Sequence, residues 1–196
     1  MTAASNDNRA EFLDRSLALF ADYGYDGVGV QQICEAVGVT KPTLYHHFGN
    51  KRGLLQTLME EQLRGLHAAL LQAAAYRGDV ALALTDVARA TFAFARSHRD
   101  FYRLYLTLWF PPMRSEAFEA ARRFHERHFE ILEALFREAA RDQDEWKGRH
   151  RALAAAFLGV LNNNIGIALN NYMALNEALA RRSVVEFLYG VLPRSD

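Results

Sequence analysis

Residues 30–48 read VQQICEAVGVTKPTLYHHF, and this stretch decides the fold. Two short helices, about Val30–Val37 and Lys41–His47, meet at a tight Gly38-Val39 turn. Ile33 and Val37 face inward from the first. Gly38 ends it, as a residue free to take positive φ should. Thr40 stands where an N-cap belongs, and Pro42 falls in the first turn, where its missing N–H does no harm. The second helix buries Leu44 and Phe48 and leaves Lys41, Pro42, Thr43, Tyr45 and His46 outside. A slim second helix with a polar outer face suits a DNA major groove about 12 Å wide, so the segment reads as a helix-turn-helix. The small Cys34 lets the two helices pack closely.

Working outward, Phe12, Leu13, Leu17, Phe20 and Tyr23 recur at helical spacing and predict a first helix over about Asn8–Tyr23. Gly24, Asp26, Gly27 and Gly29 stop it. Asn50 caps a long fourth helix, Lys51 to about Ala75. Gly78-Asp79 marks a break. Further helices are expected over Val80–Ser97, Asp100–Phe110, Ser115–Ala140 and Arg149–Tyr172. The last is expected to open at Ser183, whose spacing to Glu186 matches a capping box, and to run to Leu192. The expected class is all-α, about nine helices, with a three-helix DNA-binding unit ahead of a larger helical domain.

Composition agrees. The chain has 196 residues, half of them hydrophobic (51%), and only four prolines interrupt it. Such a chain can bury a real core. The single cysteine, Cys34, excludes an internal disulfide and a cysteine-rich zinc site and fits a reducing cytoplasm. The start MTAASNDNRAEF has no signal-peptide character, and no uninterrupted apolar stretch approaches the roughly 20 residues of a membrane helix, so no membrane partner is expected. The 23 basic and 23 acidic side chains cancel, which counts weakly against nucleic-acid binding. Local placement matters more. Between Gly38 and Gly53 lie Lys41, Lys51, Arg52, His46 and His47 with no acid. So few positive groups imply that two subunits act together on DNA.

The phrase GVTKPTLYHHFGNKRGLL, Gly38 to Leu55, closely resembles the TetR/AcrR family of bacterial transcription regulators over the turn, the second helix and the start of helix four. The likeness extends over about residues 9–60. Gly29, where members commonly carry Thr or Ser, and Cys34, for a commoner Ala, depart from the pattern. The expected division is 1–53 as the DNA-binding domain and 54–196 as an effector-binding and dimerisation domain. By residue type, Lys51 can neutralise a phosphate at the free N–H end of helix four, and Tyr45 and Thr40 offer hydroxyls to the sugar-phosphate chain. Lys41, Thr43, His46 and the face of Pro42 are candidates for base edges, with Gln32 at the groove margin. The resemblance implies the same set.

Helices five to seven are rich in aromatic residues. Tyr102, Tyr105 and Trp109 share one helical face, each with a polar tip, which describes a small-molecule pocket. The resemblance places an effector among these helices. The expected contacts are Phe94, Tyr102, Tyr105, Trp109, Met113, Phe124, Asn163 and Ile167, for an apolar or aromatic ligand. The Asn162-Asn163-Asn164 run, with Asn170 and Asn171, has two readings: effector hydrogen bonds, or cross-dimer bonds that set register. The resemblance also implies a homodimer through helices eight and nine, matched by Leu158, Gly159, Ile165, Gly166, Leu169, Val184, Phe187, Leu188 and Val191. His125 and His128, three apart, lack a third fixed ligand, so neither a metal nor another cofactor is expected. No nucleophile elbow, phosphate loop or dinucleotide fingerprint appears. The expected function is therefore a repressor, not an enzyme, released from a palindromic operator by a small molecule. An activator or adaptor, or a helical metal-dependent enzyme, are the alternatives.

Overall fold

The computed structural model describes residues 2–190, with side chains from Asn8 onward. The described residues form nine α-helices and no strand: α1 Thr2–Tyr23, α2 Val30–Val37, α3 Lys41–Phe48, α4 Lys51–Ala73, α5 Val80–Ser97, α6 Arg99–Thr107, α7 Glu116–Ala139, α8 His150–Leu169 and α9 Glu177–Tyr189. A short 3₁₀ turn, Asp144–Trp146, precedes α8. Two compact units result. One holds the chain up to Leu63 together with Asp100–His125; the other holds Arg64–Arg99 and the chain from Glu126 onward. Each is discontinuous in sequence, because α4 and α7 contribute to both.

The first unit closes on the periodic apolar residues of α1 to α4. Phe12, Phe20, Val28, Ile33, Leu44, Leu54, Leu55 and Leu58 are all essentially inaccessible. Phe12 meets Phe48 edge to face at 5.6 Å, a favoured aromatic geometry. Gly38 takes φ +75°, and the N–H groups of Gly38 and Val39 donate to Glu35 and Cys34 carbonyls, closing α2 as its sequence demands. Asn50 Oδ1 accepts from Gly53 N at 2.8 Å and so caps α4.

The second unit packs α5 against α8 and α9. Leu84, Val87, Phe92, Leu132, Phe136, Phe157, Leu161, Ile165 and Val184 form its core. Asp79 caps α5 through Leu82 N. Arg89 pairs with Glu177, and the Arg96 guanidinium donates to Leu175 O at 2.7 Å.

Several helix boundaries depart from the sequence reading. The first helix begins earlier, at Thr2. α6 stops at Thr107 rather than Phe110; the approach to Pro111-Pro112 disfavours helical φ/ψ. α8 ends at Leu169 rather than Tyr172, because Asn171 takes φ +63°, a left-handed turn that Asn tolerates. Arg99 then seals that end by donating to Leu169 O and Asn171 Oδ1, both at 3.0 Å.

The capping box expected at Ser183 does not form. Asn176 caps α9 well ahead of Ser183 in the chain, with Oδ1 accepting from Leu179 N. Ser183 is inside the helix, where its hydroxyl donates to Leu179 O and accepts from Asn164 Nδ2, both at 2.8 Å. No uninterrupted apolar run of membrane-spanning length occurs in α8, where Asn162-Asn163-Asn164 break the sequence, but its mean hydropathy is high. α8 is long and apolar enough to cross a bilayer by length and composition. Here Phe157, Leu158, Leu161 and Ile165 on that helix lie in the unit's own core.

Candidate functional site

The turn and caps just described present α3 with its two faces sharply divided. Leu44 and Phe48 are buried; Lys41, Pro42, Tyr45 and His46 are exposed, and Thr43 is half-buried. Thr40 is the N-cap residue by backbone geometry, yet its hydroxyl makes no cap bond and lies 3.3 Å from the Thr43 hydroxyl. Both hydroxyls thus sit at the head of the helix beside Lys41. Gln32 on α2 is exposed. His47 is half-buried against Phe12 and Phe48, and burial, then His46 and Arg9, pull its pKa down.

Lys51 is placed differently from the sequence expectation of an outward phosphate contact. Its Nζ donates to Tyr25 O and Val28 O, both at 3.0 Å, and lies 4.1 Å from the Tyr25 ring centroid. The ammonium therefore ties the start of α4 to the turn between α1 and α2. The neighbouring Arg52, which the sequence places in the basic window but not among the expected contacts, is exposed. Its signal is available in sequence: one residue further along α4 points to a different side of the helix.

Tyr25 carries the chain of contacts onward. Its ring is buried, and its hydroxyl donates to Glu116 Oε2 at 2.8 Å. Burial first, then the Glu116 bond, hold the phenol far above its ordinary pKa, so it remains a donor. Glu116 begins α7. A double-mutant cycle of Tyr25→Phe and Glu116→Ala, read by urea unfolding, should give a coupling of about 1–2 kcal/mol. A coupling near zero would show that the bond contributes nothing in solution.

The same unit holds five of the expected effector residues, and the rings of three of them cluster. Tyr102 and Tyr105 are inaccessible, with ring centroids 5.5 Å apart, and Tyr105 lies 6.2 Å from Trp109. His125 joins them, 4.7 Å from Tyr105 and stacked on Trp109 at 4.5 Å. Sequence spacing treats His125 only as half of a weak metal pair with His128. Its better signal is its position one turn after Ala121 on the apolar stripe of α7. Phe124, its neighbour in sequence, is buried, whereas Met113 is exposed. No group of three or more side chains suited to a metal occurs among the described residues.

Phe94, Asn163 and Ile167 belong to the second unit. Phe94 stacks on His98 at 4.2 Å; Ile167 is half-buried and Asn163 exposed. Within this chain Asn164 donates to Ser183, and Asn171 accepts from Arg99. Of the expected dimer residues, Leu158, Ile165, Leu169 and Val184 are buried within the unit itself. Gly159 is exposed, while Gly166, Phe187 and Leu188 are half-buried. Val191 lies outside the described residues.

Comparison with known proteins places this geometry. Residues 12–58 match the family model described as bacterial regulatory proteins, tetR family. The chain is similar to the HTH-type transcriptional activator FasR of Mycolicibacterium smegmatis, 24% identical over 192 residues, 95% of this chain and 84% of that protein. Shorter matches at 31–39% identity cover only about a third of those relatives' own length. Among solved structures, the TetR-family regulator PfmR of Thermus thermophilus superposes with a TM-score of 0.69 at 26% identity, over 93% of this chain and 99% of that one. The regulator FadR of Bacillus subtilis, solved in complex with stearoyl-CoA, gives 0.75 at 17% identity over 93% and 99%. The helix-turn-helix segment thus matches the tetR family of bacterial regulatory proteins, and the helical architecture of the whole chain is similar to that of a solved TetR-family regulator.

Proposed function

We propose that this chain is an operator-binding regulator whose α3 enters the major groove of double-stranded DNA and whose grip is released by a small-molecule effector. The observation that carries the reading is the division of α3, with Leu44 and Phe48 anchored and Lys41, Pro42, Tyr45 and His46 outward. Lys41, Thr43, His46 and Pro42 address base edges, Gln32 the groove margin, and Tyr45 and Thr40 the sugar-phosphate chain. Lys51 is held by two carbonyls, so the phosphate charge passes to Arg52, beside the free N–H groups of α4.

In this reading residues 1–53 form the reader and 54–196 the sensing and dimerising part, acting in the cytoplasm. Two copies pair through α8 and α9. Gly159, Gly166 and Leu188, with the exposed Val185 and Tyr189, offer that surface. Leu158, Ile165, Leu169 and Val184 support it from the core. Pairing places two α3 helices about 34–36 Å apart on a palindromic site. The effector is apolar or aromatic and meets Tyr102, Tyr105 and Trp109; the apolar acyl chain of the stearoyl-CoA in the FadR structure supports apolar walls. Release requires that the ligand bind tighter to a form unable to fit DNA. Tyr25 and Glu116 supply a route, since Glu116 heads the helix that carries His125.

Repression is the sign proposed. Activation is the second reading, favoured by the name of the FasR relative. Selection of bound duplexes from a random pool tests the core of the proposal. The expected product is a palindrome with half-sites about one helical turn apart. Lys41→Ala should weaken binding and reduce the slope of log affinity against log salt by about one. No enriched sequence would overturn the operator reading, and reporter expression on deletion of the gene decides the sign.

A further inference from the structure

Trp109 and His125 present an unusual pair of atoms. Trp109 lies just beyond α6, and its indole Nε1 is buried with no hydrogen-bond partner. His125, on α7, stacks on that indole with centroids 4.5 Å apart and an interplanar angle of 29°. One face of the imidazole is thus covered by Trp109, and Tyr105 lies 4.7 Å away. His125 hydrogen-bonds the Tyr105 backbone, while its Nε2 is buried with no partner. Burial pushes the ring down to about 4, so it is neutral at pH 7.

A neutral imidazole that donates one N–H to a backbone carbonyl keeps a bare lone pair on the other nitrogen. Nε2 of His125 is then an acceptor, and Nε1 of Trp109 can only donate. Each buried atom left unpaired is destabilising, and proteins seldom tolerate such groups without a reason. Phenylalanine at either position would fill similar space at no such cost. The donor and the acceptor belong to two rings stacked with centroids 4.5 Å apart, and the Tyr105 ring lies beside them.

From this we infer that Trp109 and His125 form a polar clamp for an uncharged ligand carrying an O–H group on an apolar, aromatic body, the oxygen accepting from Trp109 and its hydrogen pointing to His125. The inference rests on the effector reading of α6 and α7 and narrows it to a chemical class. A carboxylate presents only acceptors and meets the His125 lone pair with repulsion. An ether of the same shape satisfies Trp109 and leaves His125 unpaired. The clamp therefore selects for a donated proton rather than for bulk.

The test compares 2-naphthol, 2-methoxynaphthalene and 2-naphthoate by calorimetry and by quenching of tryptophan fluorescence, on the full chain without DNA. The expected result is saturable binding of the naphthol, at least tenfold weaker binding of the ether, and still weaker binding of the carboxylate at pH 7. His125→Phe should abolish the preference for naphthol over ether, and Trp109→Phe should weaken both. The wild-type comparison stands even if a variant fails to fold. Equal binding of naphthol and ether, no saturable binding of the naphthol, or a preference that survives in folded His125→Phe overturns the clamp. Operator binding is measured separately. Selective naphthol binding without release of DNA would retain the clamp and reject the effector reading.

Discussion

Lys51→Met is expected to lower the stability of the protein by about 2–4 kcal/mol while leaving the salt dependence of DNA binding unchanged. The methionine keeps the apolar stem and removes the ammonium. Two carbonyls, of Tyr25 and Val28, then lose a charged donor held at 3.0 Å, and the Tyr25 ring loses its cation. Hydrogen bonds from charged donors contribute about 1.5–3 kcal/mol each, but two that share one donor and one turn will not add fully. Urea unfolding reads the stability, and anisotropy of labelled operator across a salt series reads the charge. Arg52→Ala is the counterpart. It should shift stability by less than about 0.5 kcal/mol and reduce the salt slope by about one. The reverse pattern, with Lys51 altering the slope and not the stability, would return Lys51 to the phosphate.

The second large effect is expected from acid. His67 and His125 are both pulled down to about 4, in each case chiefly by burial, and His67 further by Arg127. Unfolded histidine titrates near 6.5. Between these values the unfolded chain binds more protons than the folded one, so stability falls as pH drops through 6.5 and levels off only near 4. Above pH 7 both states are neutral at these rings and the contribution is fully present. His125 should account for about 2 kcal/mol of loss between pH 7 and pH 5. His67 is more open to solvent and should contribute about half as much. Carboxylates contribute little in this window because they titrate lower. Urea unfolding at intervals from pH 7.5 to 5 measures the slope. His125→Phe and His67→Leu should each flatten it, and a wild-type curve without slope would show that these rings are open to water in solution.

Both expectations concern side chains whose place is not legible from their neighbours in the chain. Lys51 follows a helix cap in a basic window, and that context points outward. Its rotamer turns back because the α1–α2 turn leaves two carbonyls in reach, a fact about residues 25 and 28 that no local pattern encodes. His125 is three residues from His128, and local spacing suggests a ligand pair. Its burial beside Trp109 depends on how α6 meets α7. Asn164 shows the same limit: the run of asparagines demands partners, but the partner, Ser183, lies on another helix. Ser183 itself reads as the start of that helix, since the spacing to Glu186 imitates a cap that Asn176 already provides.

By contrast, the helical class, the helix-turn-helix and the exposed face of α3 were determined by the sequence alone. Periodicity, glycine at a left-handed turn, a proline in the first turn and Asn50 as a cap are all interactions within a few residues. Their energies do not depend on what packs from afar. The direction of the Lys51 ammonium, the Tyr25–Glu116 bond and the unpaired atoms of Trp109 and His125 were decided only in the tertiary structure. They arise where distant segments meet, and desolvation there sets both which polar groups must pair and which stay poised for something else.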